Sequence, residues 1–94
     1  FKNQPENINF IKIDVEGYES HVLTGATETL KKDQPVLFVE LSDNNLKKQG
    51  TSAILLVQQL KDLGYYDIMN AHNLQPIKQE ELENCSIDII CKAK

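Results

Sequence analysis

The chain has 94 residues, a net charge of −4 and a hydrophobic content of 40%, which is typical of one globular domain. All of its basic residues are lysines. Phosphate clamps and guanine readout favour arginine, so this composition argues against nucleic-acid binding. The sequence has no long apolar run and no signal-peptide pattern, so we expect a cytoplasmic protein without a membrane segment. Because the chain begins with Phe1, we expect it to be a piece of something longer.

The first predicted elements are a strand, a turn and a helix. Residues 1–7 are polar and read as a loop, and residues 8–15 form a strand. This strand has apolar side chains on both faces, which is typical of a central strand in a covered sheet. Gly17 marks the turn, and the apolar spacing predicts a single helix over residues 18–32.

Residues 35–41 form the most apolar predicted strand, which we also expect to be central. A strand, a helix and a second strand make a βαβ unit, so the two strands should run parallel with a right-handed crossover. A polar loop with a possible helical turn at Leu46 follows at residues 42–51, then a helix at 53–63 and a strand at 65–70. The rest is a short extended segment at 74–77, an acidic loop or single turn at 79–84, and a last strand at 86–92.

Two acidic residues close the two predicted parallel strands. Asp14 ends the first strand and Glu40 ends the second. Neighbouring strands lie about 4.8 Å apart, so adjacent strands would bring the two carboxylates within about 5–8 Å of each other. Such a pair can separate its pKa values, which leaves one carboxylate ionised and makes the other a better base. The alternative is that both only cap backbone amides or pair with Lys12.

Glu16 follows Asp14 in the turn, where it can bind a substrate or stabilise the start of the helix. Glu19, in the first turn of that helix, reads as a capping residue. Asp14, Glu16 and Glu40 together could also hold Mg²⁺ or Ca²⁺, which is an open alternative. His21 and His72 lie far apart in the sequence, so we do not expect a paired histidine site.

The cysteines give no sign of a metal site or a disulfide. Cys85 and Cys91 flank one predicted strand, where they would lie roughly 20 Å apart, too far for a disulfide. Neither has the C-x-x-C spacing of a zinc site. We therefore expect two free thiols in a reducing compartment.

Three segments resemble the C-terminal half of FkbM-type methyltransferases. They are KIDVEGYE at residues 12–19, VLTGA at 22–26 and PVLFVEL at 35–41, and the IDIIC of residues 87–91 resembles the last strand of that family. The resemblance is dense over residues 8–41 and looser beyond them. It implies an α/β chain with a partial three-layer class I methyltransferase (Rossmann-like) fold, a mixed sheet and a single domain over residues 1–94.

The resemblance also implies the strand order: first, second, last, third, with the last strand antiparallel. The family's N-terminal cofactor-binding strands are absent from this chain, and so is its glycine-rich loop. The first strand would normally pair with the family's opening strand. Without that partner we expect an unpaired sheet edge through which the chain could form a homo-oligomer.

By resemblance, the function is S-adenosylmethionine-dependent O-methylation of a sugar or natural-product hydroxyl. Asp14, Glu16 and Glu40 would be the catalytic or substrate-orienting residues, and no metal is implied. The fragment alone should be inactive, because the cofactor-binding half is missing. Two other classes stay open: a non-catalytic interaction or dimerisation module, and a metal-dependent enzyme that uses the carboxylates.

Overall fold

The computed structural model describes residues 10–93, which form one four-stranded sheet with helices packed against it. The elements in chain order are β1 (Phe10–Ile13), α1 (Glu19–Gly25), α2 (Thr27–Asp33), β2 (Val36–Ser42), α3 (Asp43–Lys48), α4 (Ala53–Asp62), β3 (Asp67–Asn70) and β4 (Ser86–Lys92). A single 3₁₀ turn, Gln79–Glu81, precedes β4. The predicted strand at residues 8–15 begins before the described part of the chain.

The sheet has the order β1-β2-β4-β3. β1 and β2 are parallel neighbours, and β4 runs antiparallel to both β2 and β3. This confirms the predicted α/β class, the mixed sheet and the strand order. The parallel β1–α1–α2–β2 unit places the carboxyl ends of β1 and β2 side by side, at the end of the sheet where ligands bind in open α/β folds.

The two faces of the sheet differ in burial. In β2, Leu37, Val39 and Leu41 are fully buried, because they pack under the helices in one continuous core. The alternating side chains of the same strand are less covered: Val36 and Phe38 are half-buried and Glu40 is exposed. Within residues 10–93, the helices therefore cover one face of the sheet, and we call the other the open face.

The predicted helix over residues 18–32 is wrong as a single helix. It divides at Ala26, whose φ of −105° and ψ of 15° depart from helical values, into α1 and α2. The Thr27 hydroxyl donates to the carbonyls of Leu23 and Thr24 at the junction. Hydroxyl groups that bond back to the preceding turn are known to bend helices.

The helical turn predicted at Leu46, within the polar stretch of residues 42–51, is confirmed and forms part of the longer helix α3. Its N-cap is Ser42, whose Oγ accepts a hydrogen bond from the Asn45 N–H. Ser52 caps α4 in the same way through the Leu55 N–H, and α4 confirms the predicted helix over residues 53–63. Ser-initiated caps supply an acceptor for backbone donors that the helix itself leaves unpaired.

The two edges of the sheet differ in how their strand hydrogen-bonding groups are paired. At the β3 edge, Pro76 bridges to Met69, the Ile77 N–H donates to the Ile68 carbonyl, and the Asn70 N–H donates to the Gln75 carbonyl. Because a proline has no N–H, Pro76 cannot donate a hydrogen bond to a further strand at this edge. At the other end of the sheet, β1 pairs with β2 on one side, and within residues 10–93 no strand lies on its other side.

Candidate functional site

Three carboxylates form a row across the open face at the carboxyl ends of β1 and β2. Ile13 lies opposite Val39, so Asp14 and Glu40 follow on neighbouring strands. Glu40 lies directly opposite Asp88 of β4. We call Asp14, Glu40 and Asp88 the acid row. Asp14 and Glu40 are exposed, and Asp88 is partly buried.

Electrostatics within the acid row act on Glu40. The hydrogen bond that Glu40 shares with the Asp14 carboxyl, together with the charge of Asp14, raises the pKa of Glu40. Partial desolvation and the charges of Asp88 and Glu19 raise this pKa further. A carboxyl group with a raised pKa binds a proton more readily, and enzymes raise carboxyl pKa values in this way in general bases.

Glu16 and Gly17 form the tight turn between β1 and α1. Glu16 has a φ of 51° and Gly17 a φ of 103°, so both lie in the left-handed region. A Cβ at Gly17 would lie 2.6 Å from the Asn45 carbonyl oxygen. Glycine is therefore required here for two reasons, the backbone angle and the close approach of α3. Glu16 is exposed beside the acid row, at the position predicted for substrate binding.

The buried side chain of Glu19 stabilises this turn. Its side chain is 1% exposed, and its two carboxylate oxygens accept hydrogen bonds from the Gly17 N–H at 2.9 Å and the Val15 N–H at 3.2 Å. Glu19 was predicted to cap the helix, and it does lie in the first turn of α1. Its carboxylate oxygens, however, accept hydrogen bonds from the turn that precedes α1. The position of Glu16 and Asp14 therefore depends on a buried carboxylate.

Asp43 is a second buried carboxylate, and no pattern in the sequence singles it out. It is 2% exposed, and its oxygens accept from the Ala53 N–H at 2.8 Å and the Asn84 N–H at 2.7 Å. Lys47 Nζ lies 3.1 Å from the same carboxylate. These hydrogen bonds, led by the one from Ala53, lower the pKa of Asp43. Asp43 thus joins the starts of α3 and α4 to the turn before β4.

Two other side chains lie where the sequence did not place them. Lys12, named above only as an alternative partner for Asp14 and Glu40, is exposed, and its Nζ lies 5.9 Å from the centre of the Phe38 ring. His72 was set aside, yet its Nε2 lies 3.7 Å from Asp88 Oδ2 at the end of the acid row. Only the antiparallel register of β4 against β2 and β3 could have indicated this second contact.

Within residues 10–93, no three His, Cys, Asp or Glu side chains come together in a way that could hold a metal ion. The helices described here are all too short or too polar to cross a membrane. Cys85 and Cys91 are both free thiols, as predicted.

S-adenosylmethionine is the methyl donor that the resemblance implies. A pocket for a ligand of that size needs about 300–1,000 Å³. A cavity between α4 and the β3 edge has a volume of about 180 Å³ and is lined by Ile68, Val57 and Leu82, among others. It lies on the helix-covered side of the sheet, away from the acid row. The chain has four glycines and no G-x-G run to cradle the donor. Residues 10–93 by themselves therefore do not fit S-adenosylmethionine.

The chain matches the family model described as the methyltransferase FkbM domain over residues 1–66. This match covers β1, β2 and the helices between and after them, including Asp14, Glu16 and Glu40, and it ends before Asp88 and His72. No curated protein and no solved structure shows significant similarity to the chain.

Proposed function

Because this chain belongs to the family of FkbM methyltransferase domains, we propose that it is the acceptor-binding, C-terminal part of an S-adenosylmethionine-dependent O-methyltransferase. Membership of the family makes it a methyltransferase domain by descent. The methyl donor, the acceptor class and the division of labour between this chain and the rest of the enzyme are our proposal. In it, residues outside 10–93 hold the donor, since the described residues do not fit it.

The observation that carries the proposal is the pairing of two acid-tipped parallel strands. β1 and β2 are adjacent, so Asp14 and Glu40 lie together on the open face at the end of the sheet where ligands bind. Charged acceptor groups such as these bind hydroxyls strongly and fix their orientation. We propose that Asp14 and Glu40 orient the acceptor hydroxyl and that Glu16, in the adjoining turn, binds a second hydroxyl.

The acceptor that suits this surface is polyhydroxylated, such as a saccharide or a glycosylated natural product. Several carboxylates in one row can accept hydrogen bonds from several hydroxyls at once, whereas an apolar acceptor would leave them unpaired. The raised pKa of Glu40 supports a role in handling the proton of the hydroxyl. We further propose a cytoplasmic site of action, which the two free thiols support.

The test is methyl transfer by the encoded protein from S-adenosylmethionine to a panel of saccharides, followed as formation of S-adenosylhomocysteine. We expect Asp14→Asn and Glu40→Gln to lower kcat/KM by about 10²-fold or more, the scale of a lost orienting or proton-handling group. Asp67→Asn is the matched control, because Asp67 is also an exposed strand carboxylate but lies at the opposite end of the sheet. Equal activity in all three variants would remove the acid row from the mechanism.

The proposed division of labour has its own test. Titration calorimetry of the 94-residue chain with S-adenosylmethionine should give no measurable heat of binding. Micromolar binding by the isolated chain would show that the donor site is complete here and would overturn the assignment of this chain to the acceptor side.

A second candidate role is self-association, which one observation favours. Four of the large apolar side chains that the structure leaves exposed lie along β1, its turn and α1: Phe10, Val15, Tyr18 and Val22. The edge of β1 beside them has unpaired strand hydrogen-bonding groups in the described part of the chain. We propose that two isolated chains pair their β1 edges antiparallel about a twofold axis, which is a self-complementary arrangement.

Self-association can be measured by light scattering over a range of protein concentrations. We expect dimers for the wild-type chain and monomers for the double variant Phe10→Lys and Tyr18→Lys. The control is Leu55→Lys and Tyr66→Lys, since both residues are exposed apolar side chains outside β1, its turn and α1. Loss of the dimer only in the control would place the interface elsewhere.

A further inference from the structure

A small cavity lies at the β3 edge of the sheet, at the opposite end of the strand order from β1. One wall is α4 and the other is formed by Pro76, Ile77 and the 3₁₀ turn, and the volume is about 180 Å³. The family match ends at residue 66, so the part of the lining that follows in the chain lies outside it. Neither the family match nor the proposed methyl transfer gives this cavity a role.

The buried part of the cavity lining is apolar. Val57 and Ile68 are 8% exposed, Leu82 is 3% exposed, and all three belong to the continuous core. Such a lining offers water few hydrogen-bond partners, so its replacement by an apolar group is favourable. An apolar cavity of about 150 Å³ in another protein binds benzene, so the volume found here admits one ring or one branched chain of about six carbons.

The rim of the cavity is polar and carries one charge. Among the described residues that line the cavity, Lys61 is the only charged one, and the other polar groups belong to Gln58, Gln79 and Tyr66. Lys61 has no ion-pair partner within residues 10–93. The carboxylate next to it in the sequence, that of Asp62, accepts a hydrogen bond from Gln58 Nε2 at 3.1 Å. A cation is therefore available for an anion at the rim.

Hydrogen bonds hold both walls of the cavity in place. The Ile77 N–H donates to the Ile68 carbonyl at 3.2 Å, which ties the outer wall to β3. The Leu82 N–H donates to the Gln79 carbonyl at 3.0 Å and closes the 3₁₀ turn. The opposite wall, α4, is a helix of 10 residues capped by Ser52. Because the site is formed in advance, little conformational entropy is lost when a ligand binds.

We propose that this cavity binds a small organic acid, with an apolar ring or branched chain on the buried lining and a carboxylate paired with Lys61. A neutral apolar molecule would leave Lys61 without an anion, and an acid with no apolar body would leave the lining uncovered. Because Lys61 is exposed, its ion pair is modest and the apolar body supplies most of the affinity. For a ligand of this size we expect a Kd on the order of 0.1 to 1 mM.

The probe for this site is benzoate, and its binding to the encoded protein is measured by ligand-observed NMR titration. Two related compounds separate the contributions, since benzyl alcohol keeps the ring without the charge and acetate keeps the charge without the ring. We expect benzoate to bind about 3- to 5-fold more tightly than benzyl alcohol, the scale of an exposed ion pair. Acetate should show no measurable binding, because it has almost no apolar surface to bury.

Three variants locate the ligand. Lys61→Gln should weaken the binding of benzoate by about the same 3- to 5-fold and leave that of benzyl alcohol unchanged. Lys31→Gln is the matched control, because Lys31 is also an exposed lysine in the last turn of a helix but lies on α2. Ile54→Phe places a larger side chain at the half-buried wall of the cavity and should weaken the binding of both compounds by about 10-fold or more.

Circular dichroism checks that each variant is folded. If Ile54→Phe does not fold, Gln58→Trp narrows the cavity from an exposed position on α4 and takes its place. Equal binding of benzoate by the wild type and Lys61→Gln overturns the assignment of an acid. Unchanged binding in a folded variant with a filled cavity, or no binding of benzoate to the wild type, overturns the cavity as a ligand site. The proposed methyl transfer is untouched by these results, because the acid row lies on the open face.

Discussion

The acid row at the carboxyl ends of β1 and β2 and the two buried carboxylates near it, Glu19 and Asp43, occupy contrasting environments. The acid row is at the surface, crowded by like charge, and the pKa of Glu40 within it is raised. Glu19 and Asp43, which we call the anchor carboxylates, are buried and saturated with hydrogen-bond donors. The pKa of Asp43 is lowered for this reason.

The two environments differ in the hydrogen-bond donors that surround each carboxylate, not in the carboxylates themselves. Glu40 and Asp43 are close in the sequence, but β2 ends between them, so one side chain meets Asp14 and Asp88 and the other meets backbone N–H groups. A carboxylate whose oxygens are already occupied holds the fold, whereas one without donors can accept a substrate hydroxyl. The anchor carboxylates should therefore respond to substitution through stability and the acid row through activity.

The largest stability effect should come from Asp43→Ala. This change leaves the buried N–H of Ala53 and the partly buried N–H of Asn84 without acceptors, and should lower the free energy of unfolding by about 3 kcal/mol. Urea denaturation measures it. Asp62→Ala, on the exposed side of α4, is the control and should stay within about 0.5 kcal/mol. A loss below about 1 kcal/mol for Asp43→Ala would contradict the anchoring role.

The turn that Glu19 supports should be nearly as sensitive. Gly17→Ala forces a Cβ to 2.6 Å from the Asn45 carbonyl at a φ of 103°, so we expect a loss of about 2–4 kcal/mol. Gly25→Ala is the matched control, since a Cβ there meets nothing within 4 Å. Because Gly25 lies in α1, the control should gain up to about 1 kcal/mol. Comparable losses in both variants would mean that the clash is not the cause.

Glu19→Ala should cost somewhat less, about 2 kcal/mol, because the Gly17 N–H is left buried without an acceptor but the Val15 N–H is only partly buried and can recruit water. The same variant should also loosen the turn that carries Glu16. Thermal denaturation reports the first effect, and amide hydrogen exchange at Gly17 reports the second. Unchanged exchange at Gly17 would show that Glu19 does not hold the turn.

The pH dependence of stability should separate the two environments by sign. Because the pKa of Asp43 lies below its usual value of 3.8, its contribution to stability is complete above that pH and is lost as the pH falls through the lowered pKa. The acid-induced loss of stability should thus be shallower in Asp43→Asn than in the wild type. Denaturation curves between pH 2 and pH 7 test this, and parallel curves would contradict it.

The smallest effect, of opposite sign, is expected for Glu40→Gln. The pKa of Glu40 is raised above 4.5, so its ionised form is disfavoured in the folded state, and this cost is fully present only above the raised pKa. Glu40→Gln should therefore raise Tm slightly at pH 7, with the difference shrinking towards pH 4.5. A lower Tm at pH 7 would show that Glu40 is stabilising and would place it with the anchor carboxylates.

Much of the fold could be predicted because it depends on local patterns. Alternating apolar residues identified β2 and β4, helical spacing identified α4, and the βαβ rule gave the parallel pairing of β1 and β2. That pairing placed Asp14 beside Glu40. Their catalytic role stays a prediction.

The features of the fold that the sequence did not predict share a different cause. The break at Ala26 and the extension of α3 beyond the turn predicted at Leu46 depend on hydroxyl and carboxylate contacts that periodicity does not register. The Asp43–Asn84 bond and the α1–α4 contact between Ser20 and Gln59 each join residues about forty positions apart.

The amino-acid sequence by itself determined the class of the fold, its strand directions and the acidic ends of β1 and β2, because these follow from side-chain periodicity and chain connectivity. Only the tertiary structure decided which carboxylates are buried anchors and which stay exposed, and that His72 meets Asp88 at the end of the acid row. The physical reason is that a carboxylate's pKa and availability depend on the donors and charges around it, and distant parts of the chain supply them.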